Sequence, residues 1–394
     1  MTNKAKPTVV IVDSHPVQYK APVYQALQRL RPDQFAVIYG FDTTQGYSDK
    51  EFGAQLKWDS DLLAGYQNCF IESSTETSLG GFKGLPTANV VELLEQYSPL
   101  DILVGQFRYE MDLSVFRWAK KHDVRLWIRH ETQDTAFDRP AWKDFLRGCF
   151  YRYVYGKLHG ALYIGNLNRE HLVRFGISEA NLIHAPYCVP DPIATFDDAE
   201  RIDRREKRRT ELGVQADAIT LAFFGKLIPK KHPEMLALAC AQLPPEIRSK
   251  MHLVYVGTGP LLDTTKALCK ELKLNASFPG FVNQSALVND YLAADIAMLP
   301  SRRMGETWGL VVNEALQAGC GVITTDAVGS SREFAGWERF EAFPVEDVQA
   351  AAKCLEKLTS FTRDFNWCRP AIEAYSIESA AQGYAELIDR AQQA

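Results

Sequence analysis

The stretch Leu299-Pro300-Ser301-Arg302-Arg303-Met304-Gly305-Glu306-Thr307-Trp308-Gly309-Leu310-Val311-Val312-Asn313-Glu314-Ala315-Leu316-Gln317-Ala318-Gly319 decides how the chain is read. It begins at the end of an apolar run, Asp295-Ile296-Ala297-Met298-Leu299, that has the length and composition of a buried strand. A polar loop containing Gly305 follows, and then Trp308 to Ala318 reads as a helix stopped by Gly319. That helix is apolar nearly all round, which predicts burial. Yet it carries Asn313 and Glu314, and Glu306 lies in the loop before it. An unpaired buried carboxylate costs several kcal/mol, so each Glu needs a partner. The partner is a cation or backbone group on one reading, and the hydroxyls of a bound sugar or ribose on the other. A strand, a Gly loop and a buried helix N-terminus also make an anion site, because unpaired N–H groups point outward there.

Seven residues separate Glu306 from Glu314, in the setting Gly-Glu-Thr-Trp-Gly-Leu-Val-Val-Asn-Glu-Ala-Leu. This resembles the Glu-x7-Glu signature of the retaining glycosyltransferases of family four, the glycosyl transferases group 1 proteins, which have the GT-B fold. The spacing alone is a weak pattern. The preceding strand, the flanking glycines and the downstream Ala318-Gly319-Cys320-Gly321-Val322-Ile323-Thr324-Thr325 make it specific. The resemblance implies an α/β protein of two doubly wound, Rossmann-like domains facing a central cleft. An acceptor-binding domain would span 1–190 and a nucleotide-sugar donor domain 191–364, with helices over 365–394 crossing back to the first.

The chain outside this stretch agrees. Its 394 residues suffice for two domains, and 46% hydrophobic with 24% charged residues is ordinary for a globular protein. A net charge of −5 gives no support to a nucleic-acid partner. Eight scattered cysteines show neither C-x-x-C nor a Cys/His cluster at metal-ligand spacing, which points to a reducing cytoplasm and away from structural zinc. No signal peptide or membrane-spanning run is visible. Apolar strands at 8–13, 35–39, 102–104, 124–128 and 161–164 alternate with helical patterns, and a second series runs through 219–225, 252–257, 296–299 and 322–324. Such alternation predicts parallel sheets. Between them, Pro190-Asp191-Pro192 reads as a linker and 200–211 as a solvated helix. The long aperiodic segment 40–66 reads as a functional loop.

Gly225-Lys226-Leu227-Ile228-Pro229-Lys230-Lys231 resembles the family's Gly-Arg-Leu-x-x-x-Lys loop, whose cations hold the donor diphosphate. Lys226 stands where Arg is usual, offering a point charge instead of a planar fork. Taken alone, the loop reads as a basic turn facing solvent. The resemblance further implies that Glu314 binds ribose, that Glu306 contacts the transferred sugar, and that the N–H groups of Thr307, Trp308, Gly309 and Leu310 meet the phosphates. Phe281 and Val282 stand where the family grips the base, although Phe281 fits core packing equally well. On the acceptor side, the resemblance extends to Ser14-His15-Pro16-Val17-Gln18-Tyr19 and to the segment from Gly53 to Tyr66. His15, Gln18 and Glu131 are its candidate residues. His130 fits either a sugar contact at the reacting carbon or a hydrogen-bonded histidine at a strand end.

These readings lead to a retaining hexosyl transfer from a nucleoside diphosphate sugar to a glycan, lipid-linked or small-molecule acceptor, with no cofactor. No metal is expected, because no Asp-x-Asp follows any strand read above and lysines can neutralise the diphosphate. A nucleotide-sugar 2-epimerase of related fold and a catalytically silent binding subunit are the rivals. Finally, 142–157 mixes Phe145, Phe150, Tyr151, Tyr153 and Tyr155 with Lys143, Arg147, Arg152 and Lys157. It reads either as a helix with an aromatic core face or as a peripheral contact at the inner face of a membrane.

Overall fold

The computed structural model describes residues 6–44, 47–49, 54–56, 61–72 and 79–393, with 47–49 and 54–56 described as backbone only. Strands β1 (Val9–Asp13) and β2 (Phe35–Tyr39) are fully buried. A hairpin of β3 (Tyr47–Asp49) and β4 (Ala54–Leu56) follows. Then come β5 (Asn68–Phe70), β6 (Asp101–Val104), β7 (Arg125–Ile128), β8 (Gly160–Tyr163) and β9 (Leu182–His184). Apart from the hairpin they form one parallel sheet in the order β5-β2-β1-β6-β7-β8-β9. A second parallel sheet holds β10 (Ile219–Phe224), β11 (Met251–Val256), β12 (Asn275–Gly280), β13 (Ile296–Leu299), β14 (Gly321–Thr325) and β15 (Phe340–Phe343). Its order is β12-β11-β10-β13-β14-β15.

Both sheets are doubly wound. Each begins in its middle, builds to one edge, then crosses back to build the other. Central strands covered by helices on both faces need unbroken apolar runs, and Val9-Val10-Ile11-Val12 and Leu221-Ala222-Phe223-Phe224 supply them. Reversing the strand order opens a crevice beyond the C-terminal ends of β1 and β6, and another beyond β10 and β13.

The halves are joined by apolar packing. Ile164 and Tyr187 share a core with Trp308, Val312 and Phe334, and the Tyr187 and Trp308 rings stack at 5.8 Å. The last helix, Ile377–Gln393, lies on the first sheet. Tyr384 packs edge-on against Tyr24 at 5.8 Å, and Arg31 holds Asp389 at 2.6 Å. A Cβ on Gly383 would sit 2.2 Å from the His184 carbonyl, so glycine sets that close approach. The helix Asp198–Glu211 differs from its solvated reading: Arg201 and Arg209 are buried. Arg205 donates to the carbonyls of Leu292 and Ala293, which lack helical partners at the end of the helix Gln284–Ala293, and Arg209 donates to Ala218 O and Thr220 Oγ1.

Candidate active site

The crevice beyond β10 and β13 is built on glycine. Gly225 (φ +136°) and Gly257 (φ +138°) end adjacent strands, and a Cβ at Gly257 would lie 1.9 Å from the Gly225 carbonyl oxygen. Buried Leu227 anchors the loop that follows, which carries Lys226, Lys230 and Lys231 along the crevice. Lys231 Nζ lies 2.5 Å from Glu306 Oε2, with Lys230 Nζ at 3.9 Å. Lys230 also donates to Gly305 O at 2.9 Å, and Ser301 Oγ to Glu306 at 3.2 Å. Burial works to raise the Glu306 carboxyl, but Lys231, Lys230 and the Ser301 hydroxyl together hold it below the ordinary range. Glu306 is therefore an ionised carboxylate.

The helix after it spans Val311–Gln317, three residues shorter at its start than the periodicity predicts. Gly309 has φ +94°, which no right-handed helix accommodates. Thr307 to Leu310 therefore form a turn ahead of the helix. Trp308 is buried, its Nε1 donating to Asn313 Oδ1 at 2.8 Å, while Asn313 Nδ2 donates to Tyr187 O at 3.1 Å. Both side chains join the halves of the molecule instead of opening on the crevice, so Trp308 can reach a ligand only through its backbone.

Among the described residues Glu314 has no cation beside it. Tyr291 donates its hydroxyl at 2.5 Å and Gln284 its amide at 3.5 Å. Burial outweighs both bonds and pushes the carboxyl up to about 7. It faces a cleft of about 260 Å³ whose walls include Gly225, Phe281, Val282, Leu310 and, from the first half, Gln18. Phe281 is 50% exposed, so it lies on the cleft and not in the core. Gln18 shares the Glu314 end of the cleft, and its buried Oε1 has no partner among the described residues. An adjoining pocket of about 480 Å³ continues past Gln284 and Glu314 to Pro190–Ile193.

Across the cleft the charges are knitted together. Lys20 Nζ lies 2.8 Å from Asp13 and 3.9 Å from Glu131, and Tyr24 donates to Asp13 at 2.6 Å. Glu131 accepts from Arg129 at 2.5 Å and from the Tyr187 hydroxyl at 2.6 Å. Burial works against the Lys20 ammonium, yet Asp13 and Glu131 carry its pKa above the ordinary value. His15 bonds Ser14 at 2.9 Å, and burial pushes its imidazole down to about 4.

His130 points the other way from Glu131. Its Nδ1 is 2.9 Å from Tyr155 Oη, which is 3.2 Å from His171 Nε2, and His171 Nδ1 is 2.8 Å from Asp134. Burial, with His171 and Arg147 nearby, pushes the His130 imidazole down to about 3, so it is neutral. The loop carrying it docks on the Glu306 loop: Gly305 N–H donates to Ala136 O at 2.8 Å, and Gln133 donates to Glu306 O and Ala327 O.

The structure thus brings Lys230, Lys231 and Glu306 together beside the Glu314 cleft, and sets Glu131 with Lys20 opposite. Sequence reading missed Lys20, Asp13, Lys230, Tyr291 and Gln284. Lys230 was legible as a third cation in the loop, whereas the others come from distant elements and carry no local signal. Residues 53 and 57–60 of the Gly53–Tyr66 candidate segment lie outside the described residues. They include Asp59 and Ser60 of Asp59-Ser60-Asp61, an Asp-x-Asp that comes shortly after β4, a strand the periodicity does not show. Asp61 itself caps a turn, accepting from the N–H groups of Leu63 and Ala64. Among the described residues no group of three His, Cys, Asp or Glu is placed to hold a metal ion.

The family model described as "Glycosyl transferases group 1" matches residues 204–362. A D-inositol 3-phosphate glycosyltransferase of Kineococcus radiotolerans is 34% identical over 177 residues, covering 42% of this chain and 38% of that protein. An uncharacterised glycosyltransferase of Methanocaldococcus jannaschii is 33% identical over 123 residues, covering 31% and 30%. The chain therefore spans well under half the length of these curated relatives. Among solved structures, Anabaena HepE in complex with UDP superposes with a TM-score of 0.71 at 15% identity, covering 97% of this chain and 99% of that one. Sucrose-phosphate synthase from Thermosynechococcus elongatus gives 0.68 at 17% identity, covering 98% and 99%.

Proposed function

We propose, from a chain that folds as GT-B and whose residues 204–362 match the glycosyl transferases group 1 family model, that the protein transfers a hexosyl group from a nucleoside diphosphate sugar to an acceptor hydroxyl. The observation that carries this reading is two unlike carboxylates flanking the turn Thr307–Leu310: Glu306, ionised by Lys231, and Glu314, which has no cation beside it among the described residues and is pushed up to about 7. In this reading Glu314 accepts from the ribose hydroxyls, and Phe281 and Val282 flank the base. The diphosphate lies along Gly225–Lys231 and the turn Thr307–Leu310, where Lys226, Lys231 and backbone N–H groups balance its charge. Glu306 orients the sugar. Since Lys231 is held by Glu306, its ammonium is positioned before the diphosphate arrives, which avoids reorganisation during bond breaking.

The acceptor enters from the side of Glu131 and His15, with the neutral His130 holding its loop through the Tyr155–His171 chain. Transfer retains configuration on a single face. The bond from the anomeric carbon to the leaving phosphate oxygen breaks as the acceptor oxygen bonds to that carbon. The acceptor proton passes to the departing phosphate. The lysines supply the positive charge that Mg²⁺ supplies elsewhere. The test is to offer nucleotide sugars, beginning with UDP-glucose, to the protein with candidate acceptors in EDTA. Nucleoside diphosphate release and a product anomer matching the donor by NMR are expected. An inverted anomer, or activity restored only by Mg²⁺, overturns the mechanism. A 2-epimerised sugar overturns the transfer itself.

A further inference from the structure

One surface has no part in sugar transfer. The helix Ala141–Tyr155 carries its apolar stripe on the solvent side: Trp142, Phe145, Leu146, Phe150 and Tyr153 are between 52% and 67% exposed. Their spacing places them on one helix face. The inward face turns Gly148, Tyr151, Val154 and Tyr155 toward the core of the first half. Arg147 donates to Asp134 at 2.8 Å, and a Cβ on Gly148 would sit 3.0 Å from the Phe175 ring. The helix is thus pressed onto its neighbours, and the outward rings do not result from loose docking. Phe137, 44% exposed, extends the patch from the preceding loop.

Cations border these rings. Lys143 Nζ lies 5.3 Å from the Trp142 centroid, Lys157 Nζ 4.6 Å from Tyr153, and the Arg139 guanidinium 4.6 Å from Phe137. Lys143, Arg152 and Lys157 are exposed and make no ion pair among the described residues, whereas the nearby acids are answered: Asp144 by Arg147 and Arg174, Asp138 by Arg303. A contiguous apolar patch marks an interaction surface, and this one is rimmed by positive charge. A second copy seated two-fold on it would oppose like charges. We propose that this face seats the protein on an anionic lipid surface. Its rings lie at the headgroup boundary, and Lys143, Arg152 and Lys157 meet the lipid phosphates. The loop from Arg129 to Pro140 runs from Glu131, past Gln133 bonded to the Glu306 and Ala327 carbonyls, to the start of this helix. If the transferase reading holds, the acceptor side of the cleft is therefore presented to a lipid-borne hydroxyl.

The test is sedimentation of the full chain with extruded phosphatidylcholine vesicles, with and without about 40% phosphatidylglycerol, in the absence of any sugar donor. Binding is expected to the anionic vesicles, weakening as salt rises. F145S with F150S should cut the partition coefficient about tenfold or more, as should K143E with R152E and K157E. Thermal melts should be unchanged, because these side chains face solvent. Brominated lipid should quench tryptophan emission in the wild type, and Trp142→Phe should remove most of that quenching. Equal vesicle binding by wild type and both variants overturns the proposal. So does a wild type that ignores anionic vesicles, including one that sediments as a dimer broken by Phe145→Ser. Because no donor is present, failure of the transferase reading leaves this result standing, and failure here leaves transfer untouched.

Discussion

The two walls of the cleft handle buried charge in opposite ways. On the first half, Asp13, Lys20, Arg129 and Glu131 pair among themselves, and Tyr24 and Tyr187 complete the set. On the second half, Glu306 is matched by lysines, while eight positions on, among the described residues, Glu314 has only a phenol and an amide. A closed set of charges is scaffold: it is expensive to break and gains little from a ligand. An incompletely satisfied carboxylate on a cleft is where a ligand gains most. The comparison assigns stability to the first wall and recognition to the second.

The largest effect should come from breaking the closed set. Lys20→Ala leaves Asp13 buried without its cation and should cost about 3–5 kcal/mol in urea denaturation, with Lys20→Met plus Asp13→Asn recovering much of it. A Lys20→Ala protein of native stability but no activity would move this wall from scaffold to chemistry.

Next in size, Lys231→Ala should lower kcat/KM by about 2–4 kcal/mol of transition-state stabilisation. Glu306→Gln should lower kcat while leaving nucleoside diphosphate affinity by calorimetry nearly unchanged, whereas Glu314→Ala should weaken that affinity. Equal affinity losses at the two positions would erase the distinction between them.

Glu314 also sets a pH dependence. Its folded pKa lies above the ordinary carboxylate value of 4.5, at about 7, so the native state holds a proton that the unfolded chain releases. The stability it contributes is complete below about pH 4.5 and is lost as pH rises through about 7. The loss is at most about 3 kcal/mol, and less for a carboxylate that is part-exposed. Glu314→Gln should flatten this slope and melt higher than wild type near pH 8, but not near pH 5. Parallel melting curves would mean that Glu314 ionises normally. Smallest of all, Phe281→Ser should weaken nucleotide binding by about 1 kcal/mol and leave stability unchanged, because the ring is half exposed.

How much of this was legible beforehand depended on where each residue lies in a sheet. The strands read from periodicity are the interior ones, including β1, β6, β10 and β13. Those missed from the two sheets, β5, β9, β12 and β15, are the four sheet edges. Edge strands such as Asn275–Gly280 are half-exposed and admit Asn, Ser, Pro and Gly, so no unbroken apolar run announces them. The exposed stripe on Ala141–Tyr155 has the opposite problem. Its spacing is plain, but spacing alone cannot say whether the apolar side faces inward.

The sequence alone determined the order of the interior strands and their helices, the two doubly wound halves, the Gly225–Lys231 loop and the Glu306–Glu314 spacing, because these depend on local periodicity and on backbone conformations that only particular residues adopt. Tertiary structure alone decided that Lys231 pairs with Glu306, and that among the described residues Tyr291 and Gln284 are what answer Glu314. It also decided that Trp308 and Asn313 bind the halves together and that His130 turns away from Glu131. Charge and burial at a point are set by every element that converges there, and those elements lie tens to hundreds of residues apart in the chain.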